Sequence, residues 1–559
     1  MKFRLLLSLS LCLAATTIIA ANKYDIVIYG GTSAGISAAI QSSRSGKSVV
    51  VIEPSNRIGG LTTGGLGATD IGSKSSIGGI SLEFYKNVKK HYDNPASWKF
   101  QLASEYSESR TKPGEEAMWT FEPSVALNIY HDMLSTEKVV IVYNERLNRE
   151  KGVRMKKGKI TSIKMESGKV FCGKVFIDAT YEGDLMAATG VSYTTGREAN
   201  AKYEELQNGV QNNESSAMMN GRLSHNAKYH NFIDGVDPYI VKGDRSSGLL
   251  PYINADGPGT AGQGDKKIQA YCFRMTLTDY PDNRIPFQKP ADYKELNYEL
   301  LFRNYEAAKG SIAKMYDYGD PFVPWINTPM PNRKTDTNNQ KGFSTDFIGQ
   351  NYNYPDGSYK ERENIINEHL SYQQGLMWTL AYHPRIPQKV REIVSQWGTC
   401  KDEHDKTTGW QHQLYIREAR RMVSAYVMTQ KNCEGITVAN DPICMAGYGM
   451  DSHHVQRYVD NNGFVKNEGN VEARGLKPYP VSYRSIVPLK KECTNLIVPV
   501  CISASHIAFG SLRMEPVFMI LGQSAAVAAV IAIDQKQAVQ DIQYDLLKSK
   551  LKAVNQLLD

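Results

Sequence analysis

The chain has 559 residues, 41% of them hydrophobic and 22% charged, with a formal net charge of +7. That length exceeds a single typical domain and supports a large core, which excludes a disordered chain. The basic excess is too dilute for a nucleic-acid binder.

Lys2 and Arg4 precede the apolar run Leu5–Ile19, and Ala20–Ala21 offers small residues for cleavage. Residues 1–21 therefore read as a removable secretory signal, and the mature chain is expected in the periplasm or outside the cell. A lipobox-like Leu9-Ser10-Leu11-Cys12 is the weaker alternative. Eight cysteines occur, scattered and without CxxC, so neither a metal site nor a redox dithiol is expected.

Tyr24–Tyr29 reads as a strand and Ser33–Ser45 as a helix stopped by Gly46. Val49–Ile52 is a continuous apolar run, as in a parallel strand covered on both faces. A helix over Val125–Leu134 and a strand over Val139–Val142 follow. A Gly-punctuated antiparallel meander is expected from about Leu147 to Phe171, then an apolar strand over Val175–Ala179. From 200 to about 395, Tyr, Asn, Asp, Pro and Gly dominate, which reads as a loop-rich cap. Gln411–Met428 reads as a helix, Leu496–Cys501 as a core strand and Glu515–Ile533 as a buried helix; Gly522, Gln523 and Ser524 argue against a membrane span.

Between the first strand and helix lies Gly30-Gly31-Thr32-Ser33-Ala34-Gly35. Gly30 and Gly35 hold the first and third places of a GxGxxG pattern, and Thr32 replaces the second. The second strand ends at Glu53, 18 residues past Gly35. In such a unit the first glycine makes the tight turn and the third lets helix and sheet pack closely. The helix N-terminus faces a pyrophosphate, and the acid accepts from ribose hydroxyls. An acid at Glu53 also disfavours a 2′-phosphate. No second Gly-rich strand–helix unit occurs, so no separate NAD(P)H domain is expected.

Arg57-Ile58-Gly59-Gly60-Leu61 follows the acid. This Arg-x-Gly-Gly pattern is similar to the FAD fold of the glutathione-reductase type, in which the loop runs beside diphosphate and flavin. The strings IDATYEGDLMAATGVSYTTGRE, LYIREARRMV, MDSHHVQRYV, PYPVSYRSIVPL and ISASHIAFGSLRMEPVFMILGQSAAVAA resemble a family of bacterial FAD-dependent oxidoreductases, often exported and sometimes labelled xanthan lyase. The likeness covers nearly all of the mature chain. It implies an α/β fold: a Rossmann-like FAD-binding domain with a discontinuous cap or substrate domain. The expected parts are 22–199 and 476–559 for FAD and 200–475 for the cap. The cofactor contacts implied are Gly30, Gly31, Thr32, Ser33, Ala34, Gly35, Glu53, Arg57, Gly59, Gly60 and Leu61. Leu147 in the meander, Ala179 and Thr180 at the end of the return strand, and Gly510 and Arg513 before the last helix complete the set.

For catalysis His506 stands first, because an imidazole titrates near neutrality and can take the proton of an alcohol. His453 and Arg484 follow, as base or substrate anchor. Arg417 and Arg421 would share a helix face, paired or solvated. Glu182 and Asp184 suit a ribityl chain or a turn. Trp325, Tyr352, Tyr354 and Tyr359 suit sugar rings or staple loops. The leading expectation is an FAD-dependent dehydrogenase or oxidase acting on a small polar molecule, with a non-NAD acceptor. A lyase or isomerase on the same fold, and a non-catalytic carbohydrate-binding protein, remain open at this level.

Overall fold

The apolar run Ile26–Tyr29 forms the centre of a parallel sheet. The computed structural model describes residues 22–211, 230–308 and 325–559. The expected signal segment 1–21 lies outside them. Strand β1 (Asn22–Tyr29) pairs in parallel with β2 (Val49–Ile52) on one side and β6 (Val170–Asp178) on the other, and β3 (Val139–Val142) extends the sheet beyond β2. The start of β6 pairs antiparallel with β5 (Lys159–Lys164), which pairs with β4 (Val153–Lys156). The end of β6 instead pairs in parallel with Leu496–Ile497, only two residues of the longer strand expected there.

Alternation divides β1 between two cores. Ile26 and Ile28 join the large helical core, and Val27 and Tyr29 join a smaller one with Leu147, Ile160 and Met165 of the meander. Both faces are covered, as continuous apolar strands require. Helices α1 (Ser33–Arg44), α2 (Gly79–Tyr92) and α3 (Pro123–Ser135) belong to the first core, with the final long helix.

That final helix, here α6 (Glu515–Asp534), has the length and hydropathy of a membrane span, but 89% of its apolar window is buried in the protein. Its polar residues explain why. A Cβ on Gly522 would lie 2.1 Å from the carbonyl oxygen of Ala34, so glycine there permits the close crossing of α1. Gln523 donates to Gln41 Oε1 and accepts from the Ile80 N–H, and Ser524 donates to the Ile443 carbonyl. The seven cysteines among the described residues are free thiols, six of them buried.

The loop-rich middle of the chain carries more regular structure than its composition suggests. Five strands form a second, antiparallel sheet: β7 (Met275–Thr278), β8 (Arg284–Pro286), β9 (Trp325–Met330), β10 (Lys334–Asn339) and β11 (Gly398–Cys400), in the order β9-β10-β7-β11-β8. A 24-residue helix, α4 (Tyr359–Tyr382), begins with a capping box between Ser358 and Glu361.

The helix expected over Gln411–Met428 is not formed. The segment is extended: Tyr415 bridges Cys272, Arg421–Met422 pairs with Tyr193–Thr194, and Met428 bridges Ala504. Buried charge decides this against local helix propensity. Arg417 meets Asp346 at 3.0 Å, Arg420 meets Asp184 at 2.8 Å, and Arg421 meets Glu198 at 3.1 Å. Those carboxylates lie on different segments, so Arg417 and Arg421 share no common face.

Lys334 illustrates the same use of charge. Its buried ammonium is held by Glu122 (2.7 Å), Asp402 (2.7 Å) and Glu403 (3.0 Å), joining the cap sheet to the start of α3. Lys334→Met would leave converging carboxylates with no cation, at a cost on the order of 3–5 kcal/mol. Because unpaired buried carboxyls titrate higher, the deficit should be largest at neutral pH and narrow as pH falls towards about 5. Denaturant unfolding of both proteins at the two pH values measures this.

Candidate functional site

The glycine turn is built by close approach. Gly30 has φ +100°, and a Cβ there would lie 2.8 Å from the backbone of Ala179 and Thr180. A Cβ on Gly35 would lie 2.0 Å from the Gly30 carbonyl oxygen. Thr32, in place of the second glycine, is the N-cap of α1: its hydroxyl donates to the Ala179 carbonyl at 2.7 Å and accepts from the Gly35 N–H. The threonine thus ties helix, turn and return strand together. As first helical residues, Ser33 and Ala34 direct N–H groups out of the helix end, which carries partial positive charge.

Glu53 faces this turn. Its Oε2 accepts from the Gly31 N–H at 2.7 Å and its Oε1 from the Ser55 N–H at 2.7 Å. Burial raises its pKa despite these bonds. The Arg57–Leu61 stretch lies against the same turn, because the Gly59 N–H donates to the Gly31 carbonyl at 2.7 Å. Gly60 backs onto Tyr181, whose hydroxyl would lie 2.3 Å from an added Cβ. That hydroxyl accepts from the Leu61 N–H and donates to Glu515 at the start of α6. Thr62 donates to the other Glu515 oxygen, so one buried carboxylate joins this loop to the last helix.

The remaining expected cofactor residues are placed as follows. Thr180 donates to Asp178, whose carboxyl burial pushes up to about 6. Leu147 sits in the smaller core, its N–H donating to the Tyr29 hydroxyl and its carbonyl accepting from Tyr359, so its backbone is committed. Gly510 and Arg513 belong to a short helix, α5 (His506–Leu512), and its C-cap rather than to a loop. Both serve the strand β12 (Met450–Ser452): a Cβ on Gly510 would lie 2.5 Å from the Asp451 carbonyl oxygen, and Arg513 meets the Asp451 carboxylate at 3.0 Å.

On the other side of β12 is a cleft of about 620 Å³, lined among others by Asp70, Arg274, Tyr448, Asp451, His453 and Glu472. His453 Nδ1 lies 2.7 Å from Asp346 Oδ2, and its Nε2 lies 3.6 Å from Asp451 Oδ2. Burial would raise the Asp346 carboxyl, but Arg417 and His453 outweigh it and hold it at about 2. Asp346 is therefore a fixed anion that orients the ring. Arg274 is anchored by Asp336 at 2.8 Å, 3.6 Å from Asp70.

The geometry sets the expected catalytic residues in different surroundings. His506 is sealed in, with Nδ1 on Glu418 at 2.7 Å and Nε2 on Ser452 at 3.0 Å, and neither nitrogen faces the cleft. It braces β12 from behind. Arg484 is half exposed, paired with Asp441 at 2.9 Å and stacked on Tyr426, away from the cleft lining. Asp184 is spent on Arg362 and Arg420, and Glu182 accepts from Tyr354. Tyr352, Tyr354 and Tyr359 bond to the Val455 carbonyl, Glu182 and the Leu147 carbonyl, and Trp325 is buried in β9. These aromatics staple loops, and the cleft's own phenol is Tyr448. Asp346 had no sequence signal, standing 107 residues from His453.

A dinucleotide fits the turn. The glycines form a cradle that side chains would fill, the helix end supplies N–H groups, and Glu53 closes the far side. Arg57 Nε and both amide atoms of Gln411 are buried with no protein partner among the described residues. These features define a dinucleotide-binding α/β redox protein with a separate cap. More particularly, the chain belongs to the FAD dependent oxidoreductase family, whose model matches residues 25–551, and its cofactor is FAD. No curated protein matches the chain. Among solved structures it is similar to a flavin-containing monooxygenase from Stenotrophomonas maltophilia, at 17% identity over 32% of this chain and 43% of that one, TM-score 0.19. It is also similar to an L-amino acid deaminase from Proteus vulgaris, at 16% identity over 32% and 52%, TM-score 0.23. Thioredoxin reductase from T. acidophilum gives 16% identity over 33% and 40%, TM-score 0.17. The chain thus spans about half or less of the length of these proteins.

Gly35→Val should abolish FAD retention, because the new side chain would force α1 away from Gly30; flavin absorbance of the purified variant measures it. Glu53→Ala should weaken FAD by about tenfold, the worth of one hydrogen bond to a charged group, with the folded core intact. Titration of the apoprotein with FAD, alongside thermal unfolding, checks both halves of that expectation.

Proposed function

We propose that this FAD-dependent oxidoreductase dehydrogenates a small polar, hydroxylated molecule, such as a sugar derivative, held in the cleft beside β12. The observation that carries this reading is His453: its ring lines the cleft while its Nδ1 rests on the buried Asp346. A carboxylate on Nδ1 fixes the N–H there and leaves Nε2 as the acceptor. As an alcohol becomes a carbonyl, its O–H proton passes to Nε2 and its C–H leaves as hydride. FAD, when bound, takes up that hydride. Arg274 and Asp70 are placed to hold substrate oxygens, and Asp451 stabilises the imidazolium formed at His453. The turn residues Gly30–Gly35, Glu53, Arg57 and Gly59–Leu61 would hold the nucleotide, whose pyrophosphate meets the end of α1.

The reading extends to an electron acceptor other than NAD, such as oxygen or a quinone, since the sequence carries one Gly-rich dinucleotide motif. It also extends to export of the mature chain, supported by Lys2, Arg4 and the run Leu5–Ile19. N-terminal sequencing of protein secreted by the native host would test that second point.

The decisive experiment is anaerobic mixing of the holoenzyme with sugars, sugar acids and amines while flavin absorbance is followed. Bleaching by a hydroxylated compound is expected. His453→Ala should slow that bleaching by about 100-fold, the lower range for loss of a general base, with FAD still bound. His506→Ala should act mainly on stability. Turnover of a compound with the flavin oxidised throughout would sink the dehydrogenase reading. Equal rates in His453→Ala and the parent would remove the histidine from the chemistry.

A further inference from the structure

The turn-rich segment 402–413 of the cap carries two histidines that the cleft does not use. His404 and His412 face each other with ring centroids 6.3 Å apart. Both rings lie beside Arg57, whose positive charge adds to burial in pushing them down, His404 to about 3 and His412 well below the ordinary imidazole value. His412 is nonetheless exposed, so a ligand can reach its ring from solvent.

The surroundings of the two rings hold unanswered polar atoms. Among the described residues, His404 Nδ1, Arg57 Nε and both amide atoms of the buried Gln411 have no hydrogen-bond partner. His404 Nε2 is engaged by the Thr276 hydroxyl at 3.1 Å, which fixes the ring. Arg57 makes only a 3.4 Å contact with the Pro123 carbonyl. Glu403 is the acid whose charge reaches Arg57, but its oxygens are committed to Ser124 and Lys334. A guanidinium and two imidazoles therefore meet where no free carboxylate stands among the described residues. Burying such groups without an anion is costly, and a bound anion removes the cost.

The location names the anion. Gly59 follows Arg57 by two residues, and its N–H donates to the Gly31 carbonyl within the glycine turn. Gly64 and Gly65 lie directly against the cap segment: an added Cβ would lie 2.7 Å from Gln413 Cβ at Gly64 and 3.1 Å from Gln411 Cγ at Gly65. The segment thus closes over the loop that borders the dinucleotide cradle.

We propose that His404 and His412, with Arg57, form a cap-borne binding face for the pyrophosphate of FAD, so that the cofactor is clasped between the two domains. The proposal rests on the FAD assignment and adds to it residues outside the glycine turn.

The test is titration of the apoprotein with FAD, with inorganic pyrophosphate and with riboflavin, which lacks phosphate. His404→Ala and His412→Ala should each weaken FAD and pyrophosphate by about tenfold, as for a hydrogen bond to a charged group. Riboflavin affinity should not change. His412→Gln, which restores an N–H donor without a charge, should recover most of the FAD affinity; a ring needed only for packing would not be rescued. Unchanged FAD affinity in both alanine variants overturns the proposal, as does an equal loss for riboflavin, which would put the histidines at the ring end. Failure of the parent apoprotein to take up FAD would instead count against the cofactor assignment itself.

Discussion

The Thr32 hydroxyl bonded to the Ala179 carbonyl is the clasp on which the site depends. It joins the start of α1 to the end of β6, strands and helix that are 147 residues apart in sequence. The fit is tight because Gly30 and Gly35 leave no side-chain volume in the turn. Once that distance is set, Gly59 can reach Gly31, Tyr181 can reach Leu61, and Glu515 can draw α6 to the same point. The glycine cradle is thus a consequence of backbone approach, with side chains serving as ties. A second glycine at position 32 would give a similar path but would remove both the cap of α1 and the bond to the return strand.

The parallel sheet was legible because its strands need burial on both faces, and the runs Ile26–Tyr29 and Val49–Ile52 are apolar throughout. The meander and α6 were legible for related reasons: glycines at turns in the first, and a nearly all-apolar circumference in the second. Position 411–428 misled because Arg and Glu are good helix formers and their spacing suggested one face. Apart from Glu418, three residues before Arg421, their partners Asp346, Asp184 and Glu198 are far away in sequence, so no local pattern could reveal those three. Helix α4 was missed for the opposite reason. Its Tyr, Asn and Gln content hides an apolar stripe, although the Ser358 and Glu361 capping pair marks its start. At the site, the turn and Glu53 were visible as a motif. The choice between His453 and His506 was not, since it turns on which ring faces open space.

The cap and its borders add buried charge pairs to an apolar core. Arg197, Arg274, Arg362, Arg417 and Arg421 are all buried, each with a carboxylate from a distant segment. Such pairs add less net stability than apolar side chains of equal size, but leaving one partner alone is expensive. They act as registration marks for long irregular connections, where apolar contacts would allow sliding. The same economy explains the cleft: Asp346 is held ionised by Arg417, so His453 inherits its orientation from a salt bridge outside the cavity.

Strand β12 is only three residues long, yet it has a different client on each side. Asp451 meets Arg513 and His453, whereas Ser452 turns back to His506 and Glu418. Helix α5 rests on its backbone through Gly510. Small displacements of α5, which immediately precedes α6, are therefore passed to Asp451 and, through it, to His453. The segment carrying α5 and α6 and the cleft are thus mechanically in series at β12, so that drift in the one alters alignment in the other without any residue of the cavity being replaced.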